Sequence, residues 1–257
     1  MFDLELKDKV AIITGGSDGL GRATAKRMAL EGVKVIICAR RKEHLMQTAD
    51  KLSEETNGVV KGISADVCIS EDCVRLIDQT LEEYGRIDCL INNAGKSAAF
   101  GLEDLSDDAW YEDLELKLMG AVRMCRGVIT HMREGGGGSI VNASTGAGKA
   151  AGSMALPTSV SRAAGINLTK SLANELAQDN IRVNAVCIGL IKSAQWERRN
   201  GKGSLKEFYQ ELGSKVPLGR VGEAEEYADL VTFLCSARAR YITGTAINID
   251  GGLCPVI

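Results

Sequence analysis

The stretch Thr14-Gly15-Gly16-Ser17-Asp18-Gly19-Leu20-Gly21 decides the fold. It follows an apolar run over residues 9–13, which is typical of a buried strand, and it leads directly into a helical pattern over residues 19–31. Glycines between a strand and a helix let the backbone turn sharply and approach a pyrophosphate, and the helix N-terminus favours the phosphates. The stretch predicts a dinucleotide site, with a tight turn that binds no ligand as the alternative. The predicted contacts are Gly15, Ser17, Gly19, Leu20 and Gly21.

The same alternation of strand and helix patterns continues along the chain. Further strands are predicted near residues 33–38, 59–64, 87–91, 139–142, 182–187 and 246–249, with helices over 42–56, 70–84, 107–133 and 157–178. Apolar strands without in/out alternation are buried on both faces, and strands joined by helical crossovers are parallel. We therefore expect one domain over residues 1–257, an α/β Rossmann-like fold with a doubly wound, seven-stranded parallel sheet and helices on both faces.

Composition excludes several classes of protein. The chain has 257 residues, of which 45% are hydrophobic and 25% charged, and this argues against a disordered tail protein. A net charge of -3 gives no nucleic-acid footprint, no apolar run is long enough to span a membrane, and residues 1–8 lack the apolar core of a secretory signal. Eight cysteines without a CxxC pair, together with two histidines, predict buried free thiols, no metal site and a cytoplasmic location.

The end of the second strand bears on the choice of cofactor. NAD-binding folds usually place an acid about 20 residues after the glycines, where it binds the ribose diol. This chain has Ala39-Arg40-Arg41 at that point. Guanidinium groups without an acid favour NADP over NAD, with Arg40 as the predicted contact. The alternative is that both arginines are the solvated start of the next helix.

The motifs in their order resemble those of the short-chain dehydrogenase/reductase (SDR) family over essentially the whole length. Besides the glycine stretch, they are Asp66-Val67, Asn92-Asn93-Ala94-Gly95, Ile181-Arg182-Val183-Asn184, Pro217-Leu218-Gly219-Arg220, Thr243-Gly244 and Asp250-Gly251-Gly252. The resemblance implies that Asp66 touches adenine, that Val67, Asn93 and Gly95 also line the cofactor site, and that Asn92 steadies the central strand. It further implies a tetramer in which the helices over 107–133 and 157–178 pack against neighbours.

Four positions depart from the family pattern. The family's catalytic Tyr-x-x-x-Lys corresponds to Thr158 and Arg162, its serine to Thr145, and its asparagine to Lys117. A phenol titrates near 10 and a nearby cation brings it toward neutrality, whereas an aliphatic hydroxyl is a far weaker acid. Arginine stays protonated, so that Arg162 could bind ribose hydroxyls but not relay protons. Losing positioned acid–base help costs about 10²–10⁴ in rate.

Two lysines are the remaining candidates for a proton donor. No tyrosine lies between residues 112 and 208, so a shifted tyrosine is not available. Lys117 or Lys149 could donate a proton if it were desolvated, and solvent exposure of both is the alternative.

The segment 189–222 would form the substrate lid. Gly189 survives from the family's Pro-Gly, but Ile188 replaces the proline and Ser193 stands where a threonine usually contacts the nicotinamide amide. Basic residues in the lid would attract an anionic ligand such as a CoA thioester, although a solvated loop is the alternative. They are Lys192, Arg198, Arg199, Lys202 and Lys206.

These departures leave three functions open. The first is a non-catalytic subunit that assembles with an active SDR paralogue in a hetero-oligomer. This arrangement resembles 2-(hydroxybenzyl)succinyl-CoA dehydrogenase, an acyl-CoA dehydrogenase that pairs an active SDR subunit with a silent one. The second is an active NAD(P)-dependent alcohol dehydrogenase or ketone reductase with an unusual proton donor. The third is a cofactor-sensing protein. The cofactor is NADP or NAD, unless binding has been lost, and a homo-oligomer remains an alternative.

Overall fold

A seven-stranded parallel sheet forms the centre of the computed structural model, which describes residues 3–193, 196–197, 200 and 203–256. The sheet has the strand order β3-β2-β1-β4-β6-β8-β9. Its strands are β1 (Val10–Thr14), β2 (Lys34–Ala39), β3 (Val60–Ser64), β4 (Cys89–Asn92), β6 (Gly138–Thr145), β8 (Ile181–Ile188) and β9 (Ala246–Ile249). The strand order reverses at β1, which has β2 on one side and β4 on the other. Open α/β sheets bind ligands outside the carboxyl ends of the strands at such a reversal, and we call this region the crevice.

Helices cover both faces of this sheet. They are α1 (Gly19–Leu30), α2 (Lys42–Thr56), α3 (Ser70–Tyr84), α4 (Asp107–Leu114), α5 (Gly120–Glu134), α6 (Thr158–Glu175), α7 (Leu205–Gly213) and α8 (Ala224–Cys235). The buried apolar residues form two clusters, one on each face of the sheet. The predicted doubly wound α/β fold is confirmed.

Three elements were not predicted from the sequence. Helix α8 packs against α1, and α7 lies inside the segment assigned to the lid. A small antiparallel pair joins β5 (Ala99–Phe100) to β7 (Leu156–Pro157), just before α6 begins. This pair brings the loop after β4 close to the first turn of α6.

The predicted helix over 107–133 is interrupted. A π-helical turn at Glu115–Met119 separates α4 from α5, and its buried residue is Lys117. Single π turns within longer helices often occur at functional sites. The interruption therefore falls on one of the four positions that depart from the family pattern.

No helix within the described ranges combines the length and apolar character needed to cross a membrane. Among the same residues, no group of three or more His, Cys, Asp or Glu side chains is placed to hold a metal ion. All eight cysteines are free thiols, and six of them are buried.

Candidate functional site

The glycine turn adopts a backbone shape that side chains would disrupt. Gly15 and Gly19 have φ values of +66° and +51°, in the left-handed region that favours glycine. A Cβ on Gly21 would lie 2.2 Å from the carbonyl oxygen of Gly15, so α1 approaches the turn as closely as glycine allows. Ser17 is buried in the turn, and Leu20 packs against the core from the start of α1. The amides of Gly15 and Gly16 donate to the Cys38 carbonyl oxygen, so the amides left for a pyrophosphate are those at the start of α1.

Asn93 holds this turn from the neighbouring strand. Its Nδ2 donates to the carbonyl oxygens of Thr14 and Gly15, at 3.0 and 3.2 Å. The Thr14 hydroxyl in turn accepts from the backbone amides of Asn93 and Ala94, each at 3.0 Å. The segment after β4 and the turn after β1 are therefore fixed to each other.

Charged side chains surround the end of β2. The Asp18 carboxylate accepts a hydrogen bond from Arg41 Nη2 at 2.6 Å and contacts His44 Nε2 at 2.9 Å. Arg40 is 75% exposed, and its Nη1 lies 3.9 Å from Asp66 Oδ2. Asp66 also accepts from the backbone amide of Cys68. The roles of Asp18 and His44 are not visible in the sequence, because Asp18 is distant along the chain from Arg41 and His44.

The predicted proton-transfer positions meet in a polar cluster. Lys117 donates to the Asp113 carboxylate and to the Thr158 hydroxyl, the latter at 2.6 Å. The Thr158 hydroxyl also accepts from the backbone amide of Ala98, at 3.2 Å. Ser161 donates to the second oxygen of Asp113 at 2.6 Å. We call these four side chains, Asp113, Lys117, Thr158 and Ser161, the buried cluster; Asp113 and Ser161 were missed from the sequence.

Burial governs the charge state of this cluster. The side chains of Lys117 and Asp113 are each 1% exposed, so the expectation that Lys117 faces solvent is wrong. Loss of water, with a smaller contribution from nearby Arg162, lowers the pKa of Lys117 from 10.5 to about 8, although the hydrogen bond to Asp113 opposes the shift. An ammonium without water needs its anion, so the Asp113 carboxylate is the group that keeps Lys117 charged.

Arg162 and Thr145 lie at the same end of the crevice as the buried cluster. Arg162 is partly buried, donates from Nη1 to the Ala143 carbonyl at 2.6 Å, and places Nη2 2.7 Å from where a Cβ on Gly95 would lie. Burial lowers its pKa. Among the described residues, neither its Nε nor the Thr145 hydroxyl has a hydrogen-bond partner, although both atoms are buried.

Both ends of this crevice fit a nicotinamide dinucleotide. The start of α1 has the first amides of a helix available for a pyrophosphate, and the charged groups after β2 face the position of the adenosine ribose. At the other end, Arg162 Nε and the Thr145 hydroxyl are buried polar atoms that a ligand would satisfy. A Cβ on Gly95 would lie 2.7 Å from Arg162 Nη2, so glycine at this position lets the guanidinium lie against the backbone.

The remaining predicted residues lie around this crevice. Lys149 donates to the Ala246 carbonyl at 2.6 Å, which leaves it less suited to donate a proton to a substrate. Lys192 pairs with Glu223, and Lys206 is exposed at the start of α7. Three of the predicted lid residues lie outside the described residues: Arg198, Arg199 and Lys202.

The chain was compared with known proteins. The family described as enoyl-(acyl carrier protein) reductase matches residues 15–254. Dehydrogenase/reductase SDR family member 4 from Homo sapiens is 35% identical over 252 residues, which cover 96% of this chain and 88% of that protein. The putative ketoacyl reductase of the monensin polyketide synthase from Streptomyces virginiae is 35% identical, with 95% and 97% covered. L-Sorbose reductase from Gluconobacter frateurii, complexed with NADPH and L-sorbose, matches at 32% identity and a TM-score of 0.95, with 100% of both chains covered.

Proposed function

Because the chain belongs to the short-chain dehydrogenase/reductase family, we propose that it is a subunit of a nicotinamide-dependent oxidoreductase that acts on a hydroxyl or keto group. Within that assembly, we propose that the chain binds the cofactor but does not itself perform the proton transfer. An active SDR paralogue with a complete Tyr-x-x-x-Lys motif supplies the chemistry.

The hydrogen bonding of Thr158 carries this proposal. Its hydroxyl accepts from both Lys117 and the Ala98 amide, which ties it to the wall of the crevice. A threonine hydroxyl is bonded directly to Cβ, so it ends roughly 4 Å short of the point that a tyrosine hydroxyl would reach. The group at this position is therefore both too weak an acid and too short to serve a substrate oxygen directly.

The cofactor would be held by residues that the fold has kept. The amides at the start of α1 would bind the pyrophosphate, Asp66 and Val67 would flank the adenine, and Arg162 would donate to the nicotinamide ribose. A bound nicotinamide cofactor supplies or accepts a hydride at a carbon atom. Thr145, whose hydroxyl is buried without a partner among the described residues, would orient a carbonyl group in this space.

The proposed partner would pack on the helices that flank the crevice. Exposed apolar side chains lie on α4, in the π turn and on α6, and are Tyr111, Met119 and Val160. Burying such side chains against a paralogue favours association. We propose a hetero-tetramer, with a homo-oligomer as the alternative.

For the substrate we propose an acyl-CoA thioester of the 2-(hydroxybenzyl)succinyl-CoA type, and a ketoacyl reductase among the relatives supports an acyl substrate.

Turnover by the purified chain tests the proposal. The isolated protein is assayed with NADH and NADPH, or their oxidised forms, over a panel of ketones, alcohols and acyl thioesters. We expect no turnover above background alone, and turnover on adding an SDR paralogue from the same genome that carries the complete motif. Substrate turnover by the isolated chain at rates typical of enzymes, about 1–10³ s⁻¹, would refute it.

A second candidate, an active reductase, is favoured by the contact between Lys117 and Thr158. Thr158 would pass its proton to a substrate alkoxide through a bridging water and regain one from the Lys117 ammonium, so that the lysine ends neutral. This candidate predicts turnover by the isolated chain, with a pH profile that follows the Lys117 pKa of about 8. Lys117→Met would then abolish the turnover, whereas the silent subunit has none to lose.

A further inference from the structure

We propose that Asp18 replaces the acid missing from the end of β2 and makes the site select NAD(H) over NADP(H). This inference rests on the cofactor binding contained in the proposed function, but not on whether the chain is catalytic. It departs from the expectation drawn from Arg40 and Arg41, because the structure places a carboxylate among those cations.

The position of the Asp18 carboxylate is set by residues that follow β2. Arg41 ends the loop after β2 and His44 lies in the first turn of α2, and both contact Asp18. Asp18 itself immediately precedes Gly19, where α1 begins. The carboxylate therefore lies between the glycine turn and the end of β2, which is where a dinucleotide fold receives the adenosine ribose.

Asp18 retains the capacity to bind a ribose hydroxyl. Its Oδ2 accepts from Arg41 and, at 3.3 Å, from the Ser17 hydroxyl, and its Oδ1 contacts His44. An ionised carboxylate has about four acceptor sites, so one remains for a hydroxyl donor. The side chain is 44% exposed, which leaves this site open to a ligand. The 2′- and 3′-hydroxyls of NAD(H) are donors of this kind.

A 2′-phosphate would meet a different environment. To bind Arg41 and His44, the phosphate would have to displace the Asp18 carboxylate. The gain in binding energy would be small, because both cations already have an anionic partner. If Asp18 stayed in place, the phosphate would lie against a like charge. Arg40 is the other cation at this site, and Asp66, at 3.9 Å, already faces it. The net charge of the side chains around this site is therefore at most +1, which gives little attraction to a dianion. These five side chains are Asp18, Arg40, Arg41, His44 and Asp66.

Binding titrations of NADH and NADPH test this inference without any need for turnover. The native protein, Asp18→Asn and Asp229→Asn are titrated by calorimetry at fixed salt. Asp229 is the matched control, because it forms an exposed ion pair with Arg27 away from the crevice. We expect the native chain and Asp229→Asn to bind NADH about tenfold tighter than NADPH, and Asp18→Asn to lose that preference through tighter NADPH binding.

Three results would overturn the inference. They are a preference of the native chain for NADPH, an unchanged affinity ratio in Asp18→Asn, and the absence of binding of either cofactor. Absence of cofactor binding would not contradict the proposal that the chain performs no proton transfer. Conversely, turnover by the isolated chain would not contradict the selectivity of Asp18 for NAD(H). Melting curves of the variants verify that each is folded.

Discussion

The two ends of the crevice differ in what the sequence has kept. At the dinucleotide end, Gly15, Gly19 and Gly21 retain the backbone that a pyrophosphate needs, and Asn93 fixes it. At the proton-transfer end, two of the four tetrad positions, Lys117 and Thr158, hold side chains that bind each other in the buried cluster. The dinucleotide end therefore keeps groups that could bind a ligand, whereas Lys117 and Thr158 at the other end bind groups within the chain.

The difference shows that Lys117 and Thr158 are engaged in hydrogen bonds within the chain. A buried lysine is tolerated only if an anion and further hydrogen bonds accompany it. Here Asp113 supplies the anion, and Thr158 and Ser161 supply the hydrogen bonds. The cluster therefore joins the π turn to α6.

Restoring the family residues is the change with the largest expected effect. Thr158→Tyr with Arg162→Lys should give at most weak turnover, because Lys117 and Thr145 remain. Adding Lys117→Asn, Thr145→Ser and Asp113→Asn should raise the rate by about 10²–10⁴, since the tyrosine then acts within the complete family tetrad and no carboxylate is left unpaired. Oxidation of NADH and NADPH over the ketone panel measures the gain.

The control for this series is Thr158→Phe with Arg162→Lys, which adds the ring without its hydroxyl. It should be as inactive as the native chain. Near-normal family activity in the first double variant would contradict our assignment of Lys117 and Thr145 as obstacles.

Breaking the ion pair between Lys117 and Asp113 should lower the free energy of unfolding by almost as much as the restored residues lower the activation barrier. Lys117→Met leaves the Asp113 carboxylate buried without its cation, and we expect the free energy of unfolding to fall by about 3–5 kcal/mol. Lys117→Met with Asp113→Leu removes both charges and should recover most of that loss. Urea denaturation measures both. A single variant as stable as the native chain would show that Asp113 does not depend on Lys117.

The fold was readable from the sequence because it depends on local patterns. Apolar runs alternating with amphipathic stretches were enough to give the seven strands of the sheet. Helix α8 also carried a signal, since Tyr227, Val231 and Leu234 recur at helical spacing on its buried face. Ser204 is the N-cap of helix α7 and Glu207 follows three residues later, which is a typical start signal. Both were readable and were missed.

The site was only half readable, because its contacts join distant segments. The glycine turn is contiguous in sequence, so its shape could be predicted. Asp113 and Lys117 are four residues apart on a helical stretch, but their burial depends on Thr158 and Ser161 from α6. Similarly, Asp18 gains its role from Arg41 and His44, which no local pattern connects to it. Tertiary packing decided these contacts.

The stability of the chain should depend on pH through Lys117. Its pKa is lowered to about 8 by burial, so between pH 8 and 10.5 the unfolded chain binds more protons than the folded one. The contribution of Lys117 to the free energy of unfolding therefore rises with pH across this window, by up to about 3 kcal/mol. The unfolding free energy of the native chain is measured at several pH values against the variant that carries both Lys117→Met and Asp113→Leu.

The comparison with that variant is needed because buried thiols act in the opposite direction. Burial raises the pKa of Cys38 and of Cys125 from 9.0 to about 12, so their contributions to stability are present below pH 9 and are lost as pH rises toward 12. Both thiols are present in the two proteins and cancel in the difference. A difference that stays constant from pH 8 to 10.5 would show that Lys117 titrates outside this window.

The smallest of these effects on stability should come from the dinucleotide end, where the addition of one methyl group should abolish cofactor binding. In Gly21→Ala the new Cβ would lie 2.2 Å from the Gly15 carbonyl oxygen and 2.6 Å from Asn93 Nδ2, so the turn or the helix must shift. We expect about 1–3 kcal/mol of destabilisation, typical of overpacking, together with a loss of NADH binding.

The control is Lys26→Ala on the same helix, whose exposed ion pair with Glu55 contributes about 1 kcal/mol or less. Because the Gly21 backbone lies beside the predicted pyrophosphate, binding should fall even where the protein stays folded. Unchanged NADH binding in Gly21→Ala would mean that the tight turn serves the fold alone, and the contrast between the two ends would disappear.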